Sequence, residues 1–363
     1  MRTSDRFEFR GGLCGLAGIA LVALAFGPHA VLAAPQTVAE IANYTGDDRQ
    51  AILEAGAVKE GKVTIYTSIG DNVIFDALGK KYPFIRVEAV RMDSPEMAQR
   101  VIQEYKVGRA VADTAGSATG ALHPLIEAGI LQPYKSPEWA NFRGEALEKG
   151  RHWAYDFESY VSLGFNTKLI SPDEAPKTLD DYLDPKWRDK MAVPGSSTLP
   201  NWIGTVLREK GEKGEEFLRA VARQNIKVFG ISGRALANFV ISGEVPLSPT
   251  VFSSHFAGAA SKGAAVSWRA VSGVYANVSG VSLLKNAPHP HAAMLYLDYA
   301  FSREAQAVFV SQGYASGRTD VVSPDRPDKI YYLSEEPNYN QIYEKWSDLG
   351  RTIFGRATQP APK

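Results

Sequence analysis

The sequence predicts an α/β fold in which short strands alternate with helices and pair in largely parallel sheets. Runs of β-branched residues, beginning with Val63–Thr67, recur between longer segments that have helical patterns. Strands that alternate with helices of about ten residues are typical of α/β units. About 330 residues follow an apolar leader, and this length favours two domains.

The first 33 residues have the three-part pattern of a secretory signal peptide. Basic residues precede an apolar run, Gly11 to Phe26, and Val31-Leu32-Ala33 provides a cleavage site after Ala33. A retained membrane anchor is the alternative, but the run is shorter than the roughly 20 residues that a spanning helix needs. Cys14, the only cysteine, lies inside this leader, so we expect a mature chain without disulfides.

Composition excludes some classes of function. Forty basic and forty acidic side chains give a formal net charge of zero. A nucleic-acid-binding protein is expected to carry a basic surface, so we expect no nucleic-acid partner. The sequence has no phosphate-binding loop, no Gly-x-Gly-x-x-Gly after a strand and no His-Glu-x-x-His motif, so we expect neither a cofactor nor an enzyme.

The predicted elements follow one another regularly after an N-terminal extension. Asp48 starts a first helix with the apolar residues Ile52, Leu53 and Ala57, and Ser94-Pro95 starts a later helix, with serine as its cap. Predicted strands are residues 63–67, 86–90, 110–113, 160–165, 191–193, 227–229 and 281–284. Predicted helical segments are residues 73–80, 94–107, 122–128, 179–182, 200 onward, 233–241, 291–301 and 303–312.

Several phrases of this sequence, in this order and spacing, carry a resemblance to a known family. They are residues 57–68, 128–134, 163–169, 183–194, and the set 284–288, 292–293 and 302–306. Together they resemble the periplasmic solute-binding proteins of ABC importers, in the family that includes ferric-ion, phosphonate, polyamine and thiamine receptors. The resemblance spans roughly residues 57–321.

This resemblance implies a type II periplasmic-binding-protein fold, in which two α/β lobes close around a small-molecule solute by a hinge motion. The implied partner is the ABC importer permease in the inner membrane, and we expect a periplasmic monomer. The expected organisation is residues 1–33 signal peptide, 34–155 first part of lobe 1 with a helical extension, 156–265 lobe 2, 266–318 return to lobe 1, and 319–363 C-terminal helical segment and tail.

Candidate ligand contacts come from the loops beyond the carboxyl ends of the predicted strands, where ligands bind in such sheets. Two of these loops belong to the predicted lobe 1. The first candidates are Tyr66, Thr67 and Ser68, for which a plain Ser/Thr turn is the alternative. The second pair is Gly116 and Ser117, which a strand-to-helix turn would also explain.

Three further groups belong to the second half of the chain. Ser196, Ser197 and Thr198 precede a helix and are the strongest candidates for an anion site, with capping by Thr198 alone as the alternative. Ser232 and Arg234 start another helix, where Arg234 either pairs with an anionic solute or is solvated. Tyr275 is a further candidate, on a strand that returns to the first lobe.

The expected cargo is an anionic or zwitterionic solute rather than ferric iron. Ferric receptors of the resembled family carry two adjacent tyrosines, and the corresponding positions here are Ser253 and Ser254. We therefore expect no metal site and predict an organic acid, a phosphonate or a phosphate ester. A ferric receptor with non-tyrosine ligands is the alternative, and an exported α/β hydrolase is a remote one.

Overall fold

The computed structural model describes residues 37–69, 73–195, 198–324, 326–332 and 338–355. The predicted signal peptide, with Cys14, lies outside the described residues, as do Ser196, Ser197 and the tail from residue 356. The described residues belong to one compact unit, Gln36–Lys363.

The observed elements alternate along the chain as the sequence predicts. The strands are β1 Lys62–Thr67, β2 Arg86–Arg91, β3 Thr114–Ala118, β4 Leu131–Gln132, β5 Ala154–Asn166, β6 Ala192–Pro194, β7 Lys227–Phe229, β8 Leu247–Phe252, β9 Val266–Arg269, β10 Val274–Leu284 and β11 Ile330–Tyr332. The helices are α1 Val38–Asn43, α2 Arg49–Glu60, α3 Val73–Lys81, α4 Ser94–Lys106, α5 Thr119–Glu127, α6 Thr198–Lys210, α7 Gly214–Ala222, α8 Gly233–Ser242, α9 Ser253–Ala260, α10 Pro290–Phe301, α11 Arg303–Ser311 and α12 Tyr339–Phe354.

Two lobes surround separate hydrophobic cores. Lobe 1 is built around a core that includes Ile65, Leu283 and Leu297. Lobe 2 is built around two further clusters, one containing Trp202 and the other containing Phe256. Because each lobe buries its own apolar side chains, the space between the lobes is left for other contacts.

Two long strands connect the lobes. The main sheet has the order β2-β1-β3-β10-β5-β8, with β4 and β11 also paired to β10 and β9 paired to β5. Residues 154–160 of β5 pair with β10, whereas residues 161–166 pair with β8 and β9 of lobe 2. A separate two-stranded sheet, β6-β7, also belongs to lobe 2. The predicted two-lobed α/β fold is confirmed.

The prediction of largely parallel sheets is wrong for the main sheet. β1 runs parallel to β2 and β3, but β10 runs antiparallel to β3 and β5. The chain leaves lobe 1 along β5 and returns along β10, so the two neighbouring strands must run in opposite directions. Short crossovers through helices, which enforce parallel pairing, occur only in part of this sheet.

A second correction concerns the segment around Asp113. The strand predicted at residues 110–113 is observed at Thr114–Ala118, so Gly116 and Ser117 lie within a buried strand and not in a loop. The Asp113 carboxylate instead accepts hydrogen bonds from the Thr64 and His289 N–H groups, each at 2.7 Å. In the neighbouring helix α4, Asp93 occupies the cap position that the sequence assigns to Ser94.

A buried polar network attaches the C-terminal segment to the crossing strand β5. The Glu158 carboxylate is fully buried and accepts hydrogen bonds from Arg143 at 2.6 Å, Tyr160 at 2.8 Å and Tyr332 at 3.2 Å. Arg326 lies 3.7 Å from the same carboxylate. The predicted C-terminal helical segment contains α12, and the exact domain boundaries stay predictions.

Candidate functional site

A cleft of about 1680 Å³ opens between the two lobes. It is lined by residues of β5 and β10 together with first-turn residues of five helices. These first turns are Ser94–Pro95 of α4, Thr119–Ala121 of α5, Leu199–Asn201 of α6, Gly233–Arg234 of α8 and Ser254–His255 of α9. Helix N-termini carry free N–H groups and partial positive charge, so the cleft favours an anionic ligand.

The lobe 1 wall includes the loop that follows β1. Ser68 lines the cleft, and its N–H donates to the Gly116 carbonyl at 3.0 Å. The Ser117 hydroxyl lies 3.4 Å from the Ser68 hydroxyl but is fully buried, and neither Ser117 nor Gly116 lines the cleft. Gly116 and Ser117 therefore contact Ser68 from the interior of lobe 1 and hold it in position.

Tyr66 and Thr67 lie within lobe 1 and not on the cleft surface. The Tyr66 hydroxyl donates to Glu104 at 2.7 Å, and burial, together with this carboxylate, raises the pKa of Tyr66 to about 12. The Thr67 hydroxyl accepts the Ile69 N–H at 3.0 Å, which is the Ser/Thr turn that the sequence offers as the alternative. Of this predicted group, the structure brings Ser68 to the cleft.

The lobe 2 wall is formed where two helices begin side by side. Ser232 caps α8 by accepting the Ala235 N–H at 3.2 Å, and it lines the cleft with Arg234. A Cβ atom at Gly233 would lie only 2.8 Å from the Thr198 methyl group, so the first residues of α6 and α8 are in close contact. Thr198 is fully buried, and its hydroxyl has no partner among the described residues.

The serine pair at the start of α9 divides between two surfaces. Ser254 lines the cleft and its hydroxyl lies 2.9 Å from that of Ser159 on β5. Ser253 faces a smaller cavity of about 170 Å³ and accepts the Tyr160 N–H at 3.0 Å. The pair therefore attaches lobe 2 to the crossing strand, and Ser254 alone is offered to a ligand in the cleft.

Tyr275 belongs to the lobe 2 core. It is 2% exposed, packs against Tyr331 and Trp346, and its hydroxyl accepts a hydrogen bond from Arg208 at 3.2 Å. It does not line the cleft. Ser196 and Ser197 lie outside the described residues, so their ligand contact stays a prediction.

The charged side chains on the cleft wall differ in whether they have a partner of opposite charge. The charged lining residues are Arg91, Asp93, Arg234 and Arg351. Arg91 pairs with Asp93 at 3.2 Å, and Arg351 pairs with Asp348. Within the described part of the chain, Arg234 has no carboxylate partner, so it is the cation that remains available to a ligand.

The candidate set from the sequence leaves out two polar groups of the lobe 2 wall. Asn201 is 7% exposed, and its side-chain oxygen has no partner among the described residues. His255 lines the cleft with an equally unpartnered Nδ1, and burial, with the charge of Arg234, lowers the pKa of His255 to about 3. An asparagine between the apolar residues Leu199 and Trp202 is a usable sequence signal for the first of these groups.

The crossing strands supply the floor of the cleft. Phe157 and Ser159 of β5 line it, as do the β10 residues Ala276–Ser279. Four of these six residues, Ser159, Ala276, Asn277 and Ser279, are small or polar. Contacts to both lobes and to the strands that join them are therefore available to one bound molecule.

Comparison with known proteins agrees with this arrangement. The sequence model of the bacterial extracellular solute-binding protein family matches residues 117–333. The chain belongs to this family. It is the solute-binding component of an ABC transporter, and members of this kind deliver small solutes to permeases in the inner membrane. The family consists of binding proteins, not enzymes.

Relatives of known sequence are distant. An uncharacterised protein of Haemophilus influenzae is 25% identical over 286 residues, which is 72% of this chain and 81% of that protein. Iron uptake protein A2 of Synechocystis is 24% identical over 267 residues, or 66% of this chain and 72% of that protein. At these identities the solute does not transfer by similarity.

Solved structures of the same fold include proteins with different bound molecules. Iron-bound HitA from Pseudomonas aeruginosa has a TM-score of 0.64 at 19% identity, covering 80% of this chain and 99% of that one. AfuA from Actinobacillus pleuropneumoniae, with fructose-6-phosphate bound, has a TM-score of 0.59 at 22% identity, covering 81% and 97%. These similarities establish the fold of a solute-binding protein. None of the helices in the described part of the chain has the length and apolar character needed to cross a membrane.

Proposed function

We propose that this solute-binding protein is the periplasmic receptor of an ABC importer for a small organic anion or zwitterion. The solute class is an organic acid, a phosphonate or a phosphate ester, bound in the cleft and delivered to the permease. The protein acts as a monomer, is exported by the signal peptide at residues 1–33, and catalyses no reaction.

The observation that carries this proposal is Arg234 at the start of α8, which has no carboxylate partner among the described residues. The first turn of α8 touches that of α6, and the neighbouring Thr198 hydroxyl lacks a partner among the described residues. An arginine beside adjacent helix N-termini provides directed N–H donors and positive charge, which suit a carboxylate or a phosphoryl group. Ser232 and Ser254 add hydroxyl groups on the same wall.

Hinge closure follows from the distribution of these contacts. Arg234 and Ser254 belong to lobe 2, whereas Ser68 and the first turn of α5 belong to lobe 1. A solute that contacts both walls binds the closed arrangement more tightly than the open one, and so shifts the population towards closure. The closed receptor is then the form that the permease recognises.

Ferric iron is the second candidate, because Synechocystis relatives are named iron uptake proteins and several structural neighbours are iron-binding. The family resemblance ranks it lower, because by that resemblance Ser253 and Ser254 correspond to the two adjacent tyrosines of ferric receptors. A visible charge-transfer band on addition of ferric citrate would reverse this ranking.

The test measures the melting temperature of the purified protein with phosphate esters, phosphonates and carboxylates. A cognate anion at 100 times its Kd should stabilise the fold by about 2.7 kcal/mol. The Arg234→Gln variant should weaken binding at least about 100-fold, because charge-assisted hydrogen bonds contribute roughly 1.5–3 kcal/mol each.

Arg219→Gln is the matched control, because Arg219 pairs with Glu215 on the exposed face of α7 in the same lobe. This variant should bind as the unmodified protein does. If no organic anion raises the melting temperature, or if both variants bind equally well, the proposal is wrong.

A further inference from the structure

Helix α12 contributes one of its sides to the cleft. Tyr343, Ser347 and Arg351 recur every four residues and all line it, with Gly350 and Gly355 beside them. Residues four apart lie on the same side of a helix. The family match ends at residue 333, whereas α12 begins at Tyr339, so this wall belongs to a part of the chain that the family match does not include.

Packing on lobe 2 fixes the rotation of α12. Trp346 is 7% exposed and sits so close to α6 that a Cβ at Gly204 would lie 2.4 Å from its ring. A Cβ at Gly350 would lie 2.9 Å from Ile203 and 3.4 Å from Leu199. The cleft-facing side of α12 therefore adjoins the first turn of α6.

Asn201 lies in that first turn of α6 and is a buried amide in need of a partner. It lines the cleft, and its Oδ1 atom makes no hydrogen bond to any described residue. A buried polar atom without a partner is costly, so a bound molecule that provides one would gain a favourable hydrogen bond at this position. Oδ1 is an acceptor, and the missing partner is therefore a hydrogen-bond donor.

The α12 wall differs in chemistry from the wall around Arg234. Arg351 is paired with Asp348, so this side of α12 has no net charge from that pair. The helix ends at Phe354, next to Gly355 in the cleft, and the last carbonyl groups of a helix are acceptors at its negative end. Ser347 adds a hydroxyl, which also accepts hydrogen bonds.

We propose that α12 and Asn201 bind the body of the solute through its hydroxyl or amine groups, while the anionic group is held at Arg234. The cognate solute is accordingly an organic anion with hydrogen-bond-donating substituents, and not a bare anion. This inference rests on the proposed function and names the solute class more narrowly. Asn201 and Ser347 are the residues that determine specificity.

Two pairs of probes test the inference, each matched in its anionic group. Glycerol phosphate and methyl phosphate are both phosphate monoesters, and only the first has free hydroxyl groups. Glycerate and propionate form the corresponding carboxylate pair. In at least one pair the hydroxylated member should bind about tenfold more tightly or better in isothermal titration, as expected for one or two additional hydrogen bonds.

Two variants test whether the α12 wall causes the preference for the hydroxylated anion. Ser347→Ala and Asn201→Leu should each remove most of the preference and leave the affinity for the matched anion without hydroxyls nearly unchanged. Lys345→Ala is the control, because Lys345 is exposed on α12 and does not line the cleft. Circular dichroism checks that the Asn201→Leu variant is folded, and Ser347→Ala covers the case in which it is not.

Each outcome decides a separate question. If the two members of each pair bind with equal affinity, α12 does not have the proposed role. The same holds if both variants keep the preference while Arg234→Gln abolishes binding. Either result leaves the proposed function intact. If these four anions fail to bind and no organic anion raises the melting temperature, the proposed function is contradicted and the inference is lost with it.

Discussion

Asp156 occupies the extra position of a β-bulge in β5, where Ser279 pairs with Phe157 and Gly280 pairs with Tyr155. Its side chain is 1% exposed, and burial raises the pKa of Asp156 to about 7, against the opposing hydrogen bond from the Phe157 N–H at 3.1 Å. A bulge re-aims side chains and disrupts a strand locally. Here it leaves a carboxyl group beneath the floor of the cleft.

The raised pKa of Asp156 predicts a specific pH dependence of stability. Because the folded-state pKa lies above the unfolded value, the folded state binds more protons, and stability falls as pH rises from about 4 to about 7. Between pH 5 and pH 8, Asp156→Asn should gain on the order of 2 kcal/mol relative to the unmodified protein. Urea denaturation at both pH values measures this gain.

Asp181→Asn is the control for this experiment. The N–H groups of Lys177 and Thr178 hold the pKa of Asp181 below its usual value, so this group titrates below the tested range. The difference in unfolding free energy between this variant and the unmodified protein should be the same at pH 5 and pH 8. The prediction is contradicted if the difference in unfolding free energy between Asp156→Asn and the unmodified protein is also the same at pH 5 and pH 8.

At the residue scale, the sequence indicates those cleft residues that directly follow strands or start helices. Ser68, Ser232, Arg234 and Ser254 line the cleft because loops at strand ends meet there. Tyr66 and Tyr275 are strand residues whose side chains enter the lobe cores, and the direction of a side chain depends on a register that one sequence does not specify. The sequence does not indicate Asn201 as a cleft residue, because its exposure to the cleft depends on how α6 is rotated against α12.

At the scale of elements, β3 shows where pattern reasoning is limited. Its residues Thr114–Ala118 have small side chains and little intrinsic preference for strands, whereas residues 110–113 begin with three consecutive apolar residues. Tertiary pairing decides which residues form this strand, because β3 lies between β1 and β10 and both neighbours fix its register. Elements with strong local signals, such as α3, α8 and β7, are observed within one residue of the predicted bounds.

The contact between α6 and α12 predicts a steric effect of a single methyl group. In Gly204→Ala the new Cβ would lie 2.4 Å from the Trp346 ring, so this side chain, by which α12 packs on α6, must shift. Overpacking of this kind costs about 1–3 kcal/mol. Thermal denaturation should show a lower melting temperature for this variant, and its affinity for a hydroxylated anion should fall as α12 shifts.

Gly79→Ala provides the matched control within a helix. Its Cβ would meet nothing closer than Val87 at 3.9 Å, so α3 should be stabilised by roughly 0.5–1 kcal/mol through helix propensity. The steric interpretation fails if the two alanine variants have the same stability.

At the scale of the whole molecule, the sequence predicts the two-lobed fold because the family phrases keep their order along most of the mature chain. It does not predict the antiparallel insertion of β5 and β10, since the direction of a strand in a sheet is decided by distant parts of the chain. The same limit applies to α12, whose amphipathic pattern indicates a helix but not the surface on which it packs.

The network around Glu158 has a consequence for the kinetics of unfolding. Tyr332 is 174 residues from Glu158 along the chain, so we expect their hydrogen bond to form late in folding. Interactions that are absent from the folding transition state slow unfolding without accelerating folding. In stopped-flow experiments, Tyr332→Phe should therefore unfold several-fold faster and refold at an unchanged rate.

Tyr66→Phe is the contrasting variant, since the Tyr66 hydroxyl bonds to Glu104 only 38 residues away, within lobe 1. This loss should also slow refolding, because contacts between nearby parts of the chain form earlier. If both variants change the same rate constant, the C-terminal segment docks early. If the two variants change different rate constants, the hydrogen bond of the Tyr332 hydroxyl slows unfolding. It then sets how long a receptor outside the cytoplasm stays folded.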